Sequence, residues 1–153
     1  MTILIPIMTF FLLKALGRVD SIMLKDIGQR RLPLVIQAIL FFTLIRSIPV
    51  YRAPELYFFF LGAFVTTVAS LISLFVRLKS SLHMAGMGGL LFFVIGLSLH
   101  NAVNLVYTIA FLFVMSGFVA ASRIEMKAHD NREILAGFIA GALPQIALWP
   151  LWL

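Results

Sequence analysis

From Met84 to Ser122 the chain carries no Asp, Glu, Lys or Arg. His100, Asn101 and Asn104 interrupt that stretch once. A helix needs about 20 apolar residues to cross the hydrocarbon of a bilayer. The stretch therefore holds two crossings, about 82–99 and 105–121, with a tight turn at the polar break. In hydrocarbon every backbone N–H and C=O must be satisfied internally, which the α-helix does within one segment. The rest of the chain follows suit. Of its 153 residues, 62% are hydrophobic and only 12% charged, where soluble domains carry about 25% charged residues. Mean hydropathy is +1.08. A soluble chain of this length could not hide so much apolar surface. The expected fold is an all-α integral membrane protein of one domain, 1–153, built as a bundle of about six transmembrane helices.

The other four spans are read at about 2–16, 32–50, 56–76 and 134–153. The first is interrupted by Lys14 and short; either it stands nearly upright with Lys14 snorkelling, or part of its natural start is missing. It lacks the basic start and small-residue cleavage site of a signal peptide. Pro33 is placed in the first turn of the second span, where a missing N–H costs nothing, and Arg46 snorkels at its far end. Trp149 and Trp152 suit an interfacial aromatic belt. Gly137 and Gly141 form a GxxxG pair, and Gly86, Gly88 and Gly89 cluster early in the fourth span. Small residues let helices approach closely in lipid, and no basic P-loop signature follows these glycines.

Six spans put the loops 17–31, 77–83 and 122–133 on one side. Of the twelve Lys and Arg residues only Arg46 and Arg52 lie toward the other. Two of the three histidines, His83 and His129, share the crowded side. The net charge of +6 suits anionic headgroups or an anionic ligand, and the positive-inside rule makes that side cytoplasmic. The expected location is the cell membrane, multi-pass, with membrane lipids as partners. Too little chain lies outside the spans to read nucleic acid. The absence of cysteine excludes disulfides, thiolate-bound zinc, iron–sulfur clusters and thiol catalysis. No ionisable residue lies well inside spans three to six, which argues against ion-coupled transport there.

Three polar patches fall on the crowded side. In Ser122-Arg123-Ile124-Glu125-Met126-Lys127-Ala128-His129, with Glu133 four residues on, a helix entering the last span would put His129 and Glu133 on one face. The carboxylate would fix the imidazole tautomer and leave the other nitrogen a better nucleophile. Arg123 offers a planar fork suited to phosphate oxygens. Asp130 and Asn131 are placed to cap the helix. The second patch is Ser81-Leu82-His83. The third runs from Lys25 through Arg31 to Pro33.

Together the patches read K-x5-R-x-P, S-x-H and S-R-x5-H-x3-E. This resembles the type 2 phosphatidic acid phosphatase superfamily, whose motifs are K-x6-R-P, P-S-G-H and S-R-x5-H-x3-D. The resemblance covers about Lys25 to Gly141 and keeps the motif order, with two spans between the second and third motifs. The third motif matches at Ser122, Arg123 and His129, with Glu133 in place of Asp. The second keeps Ser81 and His83, with Ser80 and Leu82 in place of Pro and Gly. The first is loosest, with Lys25 and Arg31 one residue closer and Leu32 before Pro33. The resemblance implies a lipid-phosphate or polyprenyl-pyrophosphate phosphatase working without metal or cofactor. It assigns His129 as nucleophile, Glu133 as its orienting carboxylate, and His83 as the acid that later activates water. Lys25, Arg31, Ser81, Ser122 and Arg123 would hold the phosphate. Such chemistry needs in-line positioning and cationic stabilisation of the equatorial oxygens. The departures in the first two motifs motivate an alternative, a non-catalytic relative that binds phosphorylated headgroups or assists lipid translocation.

Overall fold

The computed structural model describes residues 27–75 and 80–153, with side chains from residue 31. The first expected span, 2–16, and Lys25 lie outside the described residues. Five α-helices are described: α1 Ile27–Ser47, α2 Pro54–Phe75, α3 Leu82–His100, α4 Val106–Glu125 and α5 Asn131–Leu148, the last continued by a 3-10 turn at Trp149–Leu151. Four segments are long and apolar enough to cross a membrane: α2, α3, α4, and α5 with its 3-10 turn. The α1 helix is the exception, because Gln37, Arg30, Arg31 and Arg46 fall within it. It also starts before the expected Leu32. A helix does not stop where its sequence stops being apolar, and it runs back through Arg31 and Arg30 to Ile27. Pro33 thus lies inside the helix rather than in its first turn, leaving the Gln29 carbonyl without its helical donor.

The packed pairs fix the directions of the helices. Phe41 stacks near Phe60 and Phe42 near Phe64, with centroids 6.0 and 6.1 Å apart, so α1 runs antiparallel to α2. The Thr66 hydroxyl reaches the Ala140 carbonyl, and the Gln145 amide reaches the Phe59 carbonyl, so α2 runs antiparallel to α5. The α3 and α5 helices run parallel and touch through backbone. A Cβ on Gly137 would strike Ser81, one on Gly141 would strike Ala85, and one on Gly88 would strike Phe138. These three glycines carry the close approach expected of small residues in lipid. Gly86, by contrast, faces open space.

Tight turns flank α4. At its start, Ala102 takes φ 50°; Val103 N–H donates to the Ser98 carbonyl and Ala102 N–H to that of Leu99. At its end, Lys127 takes φ 49°; Ala128 N–H donates to the Arg123 carbonyl and Lys127 N–H to that of Ile124. Both are Schellman closures with a left-handed residue after the cap. The α4 helix is the most exposed, with Ser116 its one buried residue. Phe111, Phe113, Val114 and Phe118 stand open on it, a surface that suits an apolar solvent. At the far end of the bundle, Trp149 and Trp152 turn inward against Gly96 rather than outward into a belt. Trp152 is buried, because glycine at position 96 leaves room for two indoles.

Candidate functional site

Helix directions gather one set of side chains. The starts of α3 and α5, the ends of α2 and α4 and the start of α1 all lie at the same end of the bundle. Arg31, Ser81, His83, Arg123, His129 and Glu133 therefore share that end. Glu55 and His100 share the other, 3.8 Å apart.

The α4–α5 connection is built to present His129. The Schellman closure at Lys127 reverses the chain, and Asp130 begins α5 as its N-cap, its Oδ1 accepting the Glu133 N–H at 2.7 Å. His129 thus precedes the helix instead of lying on it. The expected pairing with Glu133 still forms, at 2.6 Å between Nδ1 and Oε2. Glu133 sits three residues after the cap, where a glutamate ordinarily reaches back to the cap's own N–H; here its side chain takes the imidazole. An ionised carboxylate only accepts hydrogen bonds, so Nδ1 carries the proton and Nε2 keeps its lone pair. The His129 side chain is 7% exposed and that of Glu133 23%, so the pair is held by its surroundings.

The second patch is tied to the third through backbone. Ser81 N–H donates to the Glu133 carbonyl at 3.1 Å, and Ser81 packs against Gly137. Ser81 is fully buried, and its hydroxyl has no partner. His83, two residues on, is exposed on the first turn of α3. Arg123 and Ser122 lie in the last turn of α4, not in the loop, because that helix runs on to Glu125. Arg123 Nε is buried without a partner. Ser122 is exposed, its hydroxyl 3.7 Å from Met126 Sδ. Arg31 lies over the Phe75 ring at 5.1 Å, held by a cation–π contact. Among the described residues no group of three His, Asp or Glu side chains converges on a metal position.

The sequence reading missed two interior groups. Pro144, inside α5, cannot donate to the Ala140 carbonyl. The Thr66 hydroxyl stands 3.3 Å from that carbonyl and 2.9 Å from Gly62 O, sharing one proton between them. Gln145 is 1% exposed; its Nε2 donates to Phe59 O at 3.1 Å, while Oε1 has no partner. The signal was there: a proline beside a lone carboxamide in an apolar helix. Both residues line a cavity of about 360 Å³ bounded by α1, α2, α3 and α5.

Comparison with family models, curated proteins and solved structures finds no match to this chain.

Proposed function

We propose that the protein is a multi-pass cell-membrane phosphatase that hydrolyses a lipid phosphate or polyprenyl pyrophosphate through a phosphohistidine. The His129–Glu133 hydrogen bond carries this reading: a buried imidazole oriented by a carboxylate, at the bundle end that also holds Arg123, Ser81 and His83. His129 Nε2 attacks phosphorus and the bond to the leaving oxygen breaks. His83 gives that oxygen its proton. Water, giving a proton to His83, then cleaves the phosphorus–nitrogen bond and releases phosphate. Arg123 and Arg31, with Lys25, offset the charge on the equatorial oxygens. The partners are phosphorylated lipid and the membrane, with no cofactor in the cycle. Six spans, the first at 2–16, complete the proposed topology and put the basic loops on one side.

A second reading, a non-catalytic binder of phosphorylated headgroups, is favoured by one observation: Ser81 is fully enclosed, so its hydroxyl reaches a phosphate only if the start of α3 moves. A panel of phosphatidic acid, phosphatidylglycerol phosphate and polyprenyl pyrophosphate separates the two. Phosphate release by the purified protein, lost in His129→Ala, supports the enzyme. Binding without release from any of the three supports the second reading.

A further inference from the structure

The interior cavity is not needed by phosphoryl chemistry. It lies between α1 and α3, with α2 and α5 behind it. Its lining is mostly apolar, yet two of its polar atoms are buried without partners: Ser70 Oγ and Gln145 Oε1. Leaving a buried polar atom unpaired costs about 1–3 kcal/mol, so a cavity that keeps two is shaped for something that pairs them. Donation from Nε2 to Phe59 O fixes the orientation of the Gln145 amide, since a flip would set two oxygens against each other. Its free atom is therefore an acceptor. Ser70 offers a donor, as its neighbours Thr66 and Thr67 are already engaged with backbone carbonyls.

The two orphans are far apart. Gln145 lies level with Phe59 on α2, and Ser70 lies three turns away, roughly 16 Å along the helix at 1.5 Å per residue. Ser70 is nearer the His129 end, and Gln145 is deep in the bundle. We propose that this cavity binds an elongated lipid chain with an acceptor at its headgroup end, met by the Ser70 hydroxyl, and a mid-chain hydroxyl that donates to Gln145 Oε1. The ligand class is a hydroxylated acyl chain, and the assignment stands apart from the phosphatase reading.

The test uses ligands without phosphate. Methyl hydroxystearate, hydroxylated at mid-chain, and methyl stearate are titrated against a fluorescent fatty ester bound to the intact protein in detergent. The hydroxylated ester should bind about fivefold tighter, the worth of one hydrogen bond. Gln145→Met should abolish that preference, and Thr67→Val, on the same wall, should keep it. Equal binding of both esters to the wild type, or displacement by neither, overturns the proposal without any variant. A preference that survives in Gln145→Met overturns the role of Gln145. Neither result bears on phosphate release.

Discussion

Glu133 serves the loop and the helix at once. Its N–H is taken by Asp130, its carbonyl by Ser81, and its carboxylate by His129. The side-chain bond is the one that chemistry depends on. Glu133→Gln keeps the shape but no longer forces the proton onto Nδ1, so turnover should fall by at least about 10²-fold, with KM little changed; steady-state kinetics on a lipid phosphate would read this. At Gly141 the argument is steric. Any Cβ there meets the Ala85 backbone, which cannot rotate away. Gly141→Val should therefore cost at least about 2 kcal/mol. Gly86→Ala, facing open space, should stay within about 0.5 kcal/mol. Unfolding in mixed micelles would compare the two.

Among the elements, the start of α5 is where local structure and chemistry meet. Asp130→Ala removes the cap and should cost about 1 kcal/mol, read by the same unfolding assay. It should also lower turnover, because Glu133 and His129 lose the turn that aligns them. The pairing of His129 with Glu133 was legible from spacing and the break between α3 and α4 from polarity, since local bonds govern both. The helical state of His129 was not legible. The spacing i, i+4 serves equally for a residue on a helix and one just before its cap, and only the Asp130 bond to Glu133 distinguishes them. The ends of α1 and α4 were misread for a related reason. Polarity marks where lipid ends, whereas hydrogen bonding decides where a helix ends, so Arg31, Ser122 and Arg123 all lie inside helices. The inward turn of Trp149 and Trp152 depends on Gly96, a tertiary neighbour that no local pattern reveals.

At the scale of the whole molecule, alternating helix directions bring residues distant in sequence to one end. The chain lacks cysteine, so single introduced thiols report sidedness directly. Ser80→Cys and Lys127→Cys should react with a membrane-impermeant maleimide from one face of sealed vesicles, and Ala102→Cys and Tyr51→Cys from the other. Reaction of Ser80→Cys and Lys127→Cys from opposite faces would break the parallel arrangement of α3 and α5. The central claim is that His129, charged by Glu133, takes the phosphoryl group. Its most direct test is to mix the purified protein with a radiolabelled lipid phosphate, quench in alkali, and map the bound phosphate. The account predicts an alkali-stable, acid-labile label on the peptide bearing His129, absent in His129→Ala. Phosphate release that continues undiminished in His129→Ala, or label on another residue, would contradict it.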